Sequence, residues 1–185
     1  MSHPGSQDNH AIPPVAIVGM AMRLPGGVKT DDEFWDLLVK GKDGHCRVPE
    51  SRFNADSHCS GEKPQQGYFL QDDPACFDAG FFNMPAQVAA TLDPRQRLLL
   101  EVVWECMENA GHVQELDRKV GCYVGAFGND WLELVAQDTQ DFSYNRPAST
   151  LSFVLANRVS YEFDFTGPRC VYYSHEKRGE ERLKG

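Results

Sequence analysis

One long helix, predicted from residue 93 to about residue 110, constrains the fold most. Asp93 suits the N-cap and Pro94 the first helical position, while Gly111 suits the residue that ends the helix. Apolar side chains cover most of its circumference, and its charged residues fall on one narrow stripe: Arg97, Glu101, Glu105 and Glu108. That stripe is most simply explained as a hydrated face. The rest of the helix has to be buried by neighbours on several sides, so the chain encodes a packed core.

Short apolar segments around this helix have the character of strands. Residues 15–20 form an apolar run ended by a Pro-Gly-Gly loop, residues 120–127 are β-rich with interspersed glycines, and residues 170–173 could add one more strand. A Thr30–Glu33 capping-box pair starts a helix after the first run, and residues 149–160 suggest another. Residues 41–73 show no sustained period and indicate an extended loop. Alternating strands and helices predict an α/β layered domain.

Charge, cysteine spacing and hydropathy exclude several classes of function. The formal net charge of −9 would repel nucleic acid and anionic membranes. The six cysteines form no C-x-x-C pair, and the N-terminus carries no signal pattern, which indicates reduced thiols in the cytosol. The longest apolar stretch, near residues 98–103, falls far short of the roughly 20 residues that span a bilayer. We therefore expect a soluble cytoplasmic protein with neither a nucleic-acid nor a membrane partner.

Four segments, in order, resemble one family. They are PVAIVGMAMRLPGG at 14–27, FDAGFFNMPAQVAATLDPRQRLLLEVVWECMENAG at 77–111, VGCYVGAFGNDWLEL at 120–134 and LANRVSYEFDFTGP at 155–168. Together they are similar to the β-ketoacyl synthase domain of iterative polyketide synthases, and most like the fungal highly reducing type. The resemblance implies a thiolase-like α/β fold, of which this chain would supply only an incomplete first half. We accordingly predict a flexible leader at 1–13, a partial β-ketoacyl synthase N-terminal domain at 14–169 and a divergent polar tail at 170–185.

The resemblance also implies a chemistry. In the family a cysteine takes an acyl group from phosphopantetheine on an acyl-carrier domain, two histidines promote condensation with a decarboxylating malonyl unit, and the domain is a homodimer. The likeness stops after Gly167-Pro168, where the family's strand leads to a Thr-Ala-Cys-Ser-Ser or Thr-Gly-Cys-Ser-Ser turn and this chain reads RCVYYSHEKRGEERLKG. Counting without gaps places the nucleophile near Glu176. A carboxylate cannot form the thioester.

Other residues give no substitute for the missing nucleophile. Cys170 would lie within a strand, without a helix N-terminus to activate its thiol. His175 and Glu176 are adjacent, so their side chains point apart in an extended chain. Gly19, Gly26 and Gly27 lack the spacing of a dinucleotide fingerprint, and the acidic runs at 31–33 and 72–73 are explained by capping and turns. Asp93, Arg95 and Gln96 read as a structural helix start. The sequence thus assigns no catalytic, cofactor-binding or metal-binding residue.

Two functions remain open. The chain is either a truncated, inactive ketosynthase fragment of polyketide biosynthesis, or a non-enzymatic fragment that pairs with an intact synthase through the strand before the nucleophile. The family is an acyltransferase family, so whether this chain is itself an enzyme depends on the missing cysteine and histidines. We also expect apolar surface to stay exposed, because the second half of the domain that should cover the sheet is absent.

Overall fold

The computed structural model describes residues 14–53, 66–112, 118–137 and 149–173, which form both helices and strands. In chain order the elements are α1 (Asp31–Val39), β1 (His45–Arg47), β2 (Gln66–Tyr68), α2 (Ala86–Thr91), α3 (Pro94–Asn109), β3 (Cys122–Ala126), α4 (Asp130–Ala136), a 3-10 turn (Ser152–Val154), α5 (Leu155–Glu162) and β4 (Arg169–Tyr173). The predicted α/β character is confirmed. No helix within these ranges has the length and apolarity needed to cross a membrane.

Helix α3 has the limits that its capping residues predict. The Asp93 carboxylate accepts a hydrogen bond of 2.8 Å from the backbone N–H of Arg95, and Pro94 opens the helix. Gly111 follows the last turn with a φ of +72°, a conformation that a residue without Cβ adopts at little cost. Every apolar side chain of the helix is buried or half-buried, and Leu100 is fully buried. The expectation of neighbours on several sides is therefore confirmed.

The charged stripe of α3 is not a hydrated face, so that prediction is wrong for three of its four residues. Arg97 is buried, Glu101 and Glu105 are half-buried, and only Glu108 is exposed. The cause is a second layer of chain over the stripe. Arg23 donates to the Glu105 carboxylate with both terminal guanidinium nitrogens, one of them at 2.7 Å. The ring of Phe81 packs edge-on against Trp104 on α3, with centroids 4.8 Å apart.

The core lies between α3, α5 and a parallel strand pair. Strands β3 and β4 run side by side in a register that extends from Cys122↔Arg169 to Ala126↔Tyr173. The buried core residues are Phe82, Leu100, Met107, Cys122, Ala156, Val159 and Phe165. Gly167 permits the turn into β4, because a Cβ there would lie 2.4 Å from the carbonyl oxygen of Val120. The predicted strands at 120–127 and 170–173 are thus confirmed, and they are partners.

The apolar run at 15–20 does not form a strand, contrary to prediction. It lies against α3, where the backbone N–H of Met20 donates to the Asn109 side chain at 3.1 Å. A Cβ at Gly19 would stand 2.5 Å from the carbonyl oxygen of Cys106, so only glycine permits this approach. No strand among the described residues pairs with the run, and Val15 and Ile17 are 90% and 83% exposed. A segment with high β-propensity forms a strand only where it can pair with a neighbouring strand.

The loop predicted at 41–73 contains a short ribbon, which the sequence analysis missed. β1 and β2 pair antiparallel with His45 opposite Tyr68, and each has only three residues, too few for a visible alternation. Helix α1 begins as predicted: the Thr30 side chain accepts from the Glu33 N–H at 3.3 Å, and Glu33 accepts from the Thr30 N–H at 3.1 Å.

Candidate functional site

The carboxyl ends of β3 and β4 meet at one edge, since the strands are parallel. Ala126 ends β3 directly opposite Tyr173, the last residue of β4. In open α/β sheets, this edge is where ligands bind and where catalytic groups are placed. A group of polar residues gathers here from four parts of the chain. We call it the edge cluster: Asp93, Arg95, Asn129, Ser152 and Tyr173.

Arg95 connects the start of α3 to the loop that follows β3. Its Nε and Nη2 donate to the Asp93 carboxylate at 3.0 and 2.7 Å, and its Nη1 donates to the carbonyl oxygens of Phe127 and Gly128 at 2.7 and 2.9 Å. A further contact of 3.3 Å joins Nη2 to the Ser152 hydroxyl. The hydrogen bond to Asp93 raises the pKa of Arg95 further, so this guanidinium stays charged.

Tyr173 fixes the end of β4 to the same loop. Its hydroxyl donates to the carbonyl oxygen of Gly128 at 3.0 Å, lies 2.9 Å from the Ser152 hydroxyl and contacts the Asn129 side-chain oxygen. The Ser152 hydroxyl also donates to Asn129 at 3.2 Å. Ser152 is only 4% exposed, so these contacts replace water as its hydrogen-bond partners.

A buried layer below the edge cluster holds α3 against the segment before α5. The side-chain amide of Gln96 donates to the carbonyl oxygen of Ser149 at 3.1 Å, and its oxygen accepts from Arg158 at 3.4 Å. The backbone N–H of Asp93 donates to the same Ser149 carbonyl at 2.8 Å. Asp93 and Gln96 are 2% and 1% exposed. The structural helix start predicted for Asp93, Arg95 and Gln96 is what these contacts form.

The edge cluster is suited to holding segments of the backbone in place rather than to catalysing a reaction. All three guanidinium nitrogens of Arg95 donate to acceptors, and the Asp93 carboxylate is occupied by that guanidinium and by a backbone N–H. Asn129, Ser152 and Tyr173 contact one another. General acid–base work needs a titrating group that can reach a substrate proton, and nucleophilic catalysis needs a base beside the nucleophile. The cluster instead ties the ends of both strands to the start of α3.

The cysteines that the structure describes do not lie at this edge. Cys170 is the second residue of β4 and is exposed, as predicted for a strand position. Cys122 is buried in β3, and burial raises the pKa of its thiol, which disfavours the thiolate. Cys106 is half-buried within α3. His175 and Glu176 lie outside the described residues.

The acidic runs have the structural roles that the sequence predicted. Residues 31–33 form the first turn of α1, and Asp73 accepts from the N–H of Ala75 at 2.9 Å within a turn. Asp72 is paired with Lys29 at 2.6 Å. Within the described ranges, no three His, Cys, Asp or Glu side chains are grouped so as to hold a metal ion.

Comparison with known proteins decides the family. The profile of the β-ketoacyl synthase N-terminal domain matches residues 13–175, most of the chain. The chain belongs to the β-ketoacyl synthase family. Among the ketosynthase relatives, the highly reducing polyketide synthase g433 of Fusarium sp is 48% identical over 86% of this chain, and gloL of Glarea lozoyensis is 47% identical over 89%. This ketosynthase segment spans 7% of the length of each of them.

Solved ketosynthases share its fold. The oxazolomycin ketosynthase domain OzmH KS7 of Streptomyces albus JA3453 superimposes with a TM-score of 0.67 at 30% identity, over 85% of this chain and 28% of its own. The module 6 ketosynthase of the bacillaene synthase from Bacillus subtilis 168 gives 0.67 at 28% identity. The predicted thiolase-like α/β fold, present in part, is confirmed.

Three residues of this ketosynthase edge escaped sequence reasoning: Asn129, Ser152 and Tyr173. The sequence analysis puts Tyr173 at the end of a predicted strand without a partner. It assigns no element to Asn129, and it includes Ser152 in a predicted helix. The positions of these residues relative to the predicted strands could have indicated that they meet. A polar residue just after one parallel strand and a tyrosine at the end of the next belong at the same edge, so they can meet.

Proposed function

We propose that this chain is the N-terminal segment of the ketosynthase domain of a highly reducing polyketide synthase, and that by itself it forms no acyl thioester. The observation that carries the assignment is the 48% identity to such a synthase over 86% of the chain. By resemblance, the intact domain joins acyl and malonyl thioesters by decarboxylative Claisen condensation, with the acyl groups carried on phosphopantetheine of an acyl-carrier domain. This segment would bind no cofactor of its own.

The chemical reason for the proposed inactivity is that the cysteines described below are not placed where a thiolate nucleophile is needed. Condensation needs a thiolate at a prepared turn, with oxyanion donors beside it and imidazoles nearby, and these groups act as one unit. Cys122 is buried with a raised thiol pKa, and Cys106 lies within a helix. Cys170 is exposed on a strand, three residues before the end of β4. Counting forward from Gly167-Pro168 without gaps puts the family's nucleophile near Glu176, whose carboxylate cannot form a thioester.

The edge cluster supports a positioning role within this function. In the family, the chain leaving this strand makes the turn that carries the nucleophile. Tyr173 contacts Gly128, Asn129 and Ser152, and Arg95 holds the same loop by two carbonyl oxygens. Because these contacts fix the end of β4, they fix the direction in which the chain leaves the sheet. We infer that the cluster sets the start of the nucleophile turn in synthases that have one.

A second role, pairing with the homodimer of an intact synthase, is favoured by one observation. Within the described ranges β4 has a strand partner on one side only, β3, and an open strand edge can pair with another chain. Mixing this chain with an intact synthase and measuring co-elution by size-exclusion chromatography tests the role. Co-elution supports it, and separate elution at micromolar concentrations rejects it.

Acylation of the purified chain tests the main proposal. The chain is incubated at neutral pH with an isotopically labelled acyl thioester, and modified cysteines are mapped by mass spectrometry. We expect slow, unsaturable labelling that follows exposure, with Cys46, Cys76 and Cys170 ahead of the buried Cys122. The ketosynthase of the Fusarium relative serves as the positive control. Rapid, saturable acylation of one cysteine that is lost on denaturation would disprove the proposed inactivity.

A further inference from the structure

A cavity of about 360 Å³ lies beside the charged stripe of α3, away from the edge cluster. Its walls come from three parts of the chain: the loop that contains Arg23, the segment at 78–82 and two turns of α3. Carboxylates and aromatic rings line it together with one guanidinium. We call this site the stripe cavity, and its lining residues that are not buried are Arg23, Asp78, Phe81, Glu101, Trp104 and Glu105.

One wall of the stripe cavity already holds a guanidinium. Arg23 donates to the Glu105 carboxylate with both terminal nitrogens, one of them at 2.7 Å. The hydrogen bond to Glu105 raises the pKa of Arg23 further, so this guanidinium stays charged. A planar guanidinium forms such a two-pronged pair with a carboxylate, whereas an ammonium acts as a point charge. The pair shows which kind of cation a carboxylate on this side of α3 accepts.

Glu101 lies one turn before Glu105 on α3 and lines the same cavity. Its half-buried carboxylate accepts a hydrogen bond from the backbone N–H of Asp78. Arg23 and Arg97 attract this carboxylate, but among the described residues it takes part in no ion pair, and Arg23 is paired with Glu105. Burial raises the pKa of Glu101, which disfavours its charged form. A further cation in the cavity would stabilise that form.

The aromatic walls favour one class of cation. Phe81 is 50% exposed, and its ring stands edge-on to Trp104 with centroids 4.8 Å apart. Aromatic faces attract organic cations within about 6 Å of the ring centroid, and a guanidinium also stacks on them. A metal ion needs several oxygen, nitrogen or sulfur ligands, and no three such acidic, His or Cys side chains are grouped for one within the described ranges. The lining therefore suits a guanidinium better than a metal ion.

We propose that the stripe cavity binds an alkylguanidinium group, either of a free ligand or of an arginine side chain, through the Glu101 carboxylate and the ring of Phe81. The exposed carboxylate of Asp78 and the formal net charge of −9 attract the cation to the site. The Arg23–Glu105 pair stays in place, because the ligand uses the other carboxylate of the helix. The proposal involves no residue of the edge cluster and does not depend on the proposed function.

Isothermal titration calorimetry of the full chain at neutral pH and low salt tests the proposal with n-butylguanidinium. The control ligand, n-butylurea, has the same shape without the charge and should bind about tenfold more weakly or less, because charge-assisted hydrogen bonds are the stronger ones. Glu101→Gln should weaken n-butylguanidinium binding about tenfold, and Phe81→Leu about threefold. Glu108→Gln is the matched control, since it removes the same charge from an exposed position on α3 outside the cavity. It should change the affinity by less than about twofold.

A measurement on the wild-type chain keeps the result independent of variant folding. In NMR spectra, n-butylguanidinium should shift the indole N–H signal of Trp104 and leave that of Trp35, a 68% exposed residue of α1, unchanged. A capped peptide, acetyl-glycyl-arginyl-glycinamide, distinguishes the two sources of the group: peptide binding as tight as that of n-butylguanidinium supports an arginine side chain, and binding of n-butylguanidinium alone supports a free ligand. Equal affinity for n-butylurea, equal effects of Glu101→Gln and Glu108→Gln, or equal shifts of both indole signals would overturn the proposal.

Discussion

Replacing Arg95 with methionine should destabilise the chain by about 3 kcal/mol, because the change leaves a buried carboxylate without its cation. Asp93 is 2% exposed, and Arg95 contributes its strongest contacts, at 2.7 to 3.2 Å. Removing one partner of a fully buried pair costs about 3–5 kcal/mol, and we take the lower end because the Arg95 side chain is 32% exposed. In the same change the carbonyl oxygen of Phe127 loses the Arg95 donor, and the carbonyl oxygen of Gly128 keeps the Tyr173 hydroxyl as a donor.

Urea unfolding followed by far-UV circular dichroism measures this loss, and a double-mutant cycle isolates its cause. Asp93→Asn keeps an N-cap acceptor but removes the charge, so Arg95→Met should cost much less in that background, with a coupling of about 2 kcal/mol. The control is Arg118→Met, whose partner Asp164 is 2.8 Å away in an ion pair exposed on both sides. That control should cost about 0.5 kcal/mol or less. Equal losses for the Arg95 and Arg118 variants would refute the reasoning, as would the absence of coupling.

Two further changes address the buried side of α3. Arg97→Met should raise the free energy of unfolding by about 1–2 kcal/mol. The reason is that the buried Arg97 Nε has no hydrogen-bond partner, and burial lowers the pKa of the guanidinium. A lower urea midpoint for the variant would contradict this prediction. Burial also raises the pKa of Glu101 above its ordinary value of 4.5, so stability should fall as pH rises from 4.5 through the raised pKa. Glu101→Gln should flatten that fall in pH-dependent thermal unfolding, whereas Glu108→Gln, at an exposed position, should leave it unchanged.

Features fixed by neighbouring residues could be predicted from the sequence. The limits of α3 follow from Asp93, Pro94 and Gly111, whose preferences act through the nearest peptide groups. The capping box of α1 is equally local. The strand predicted at 15–20 is wrong, because strand formation depends on a partner strand, which the local sequence does not specify.

The charged stripe shows a different limit. Spacing places Arg97, Glu101 and Glu105 on one side of α3, but spacing does not reveal whether another segment covers that side. Arg23 lies 82 positions away from Glu105, and its guanidinium makes that side a contact. The contacts of the edge cluster could not be predicted for the same reason, since Arg95 and Ser152 are 57 positions apart. Pairings over such distances are set by the packing of whole elements.

Positioning and reaction therefore depend on different stretches of a ketosynthase chain. Every residue of the edge cluster precedes Glu176, near which the family resemblance puts the nucleophile, and each is held by contacts among residues 93–173. These contacts need no thiol and no imidazole. A strand end can thus be fixed by a segment that does not itself react, because hydrogen bonds to backbone carbonyls depend on the fold and not on the chemistry that follows. By the proposed function, this segment would support the nucleophile turn, and the rest of the ketosynthase chain would contribute the reacting groups.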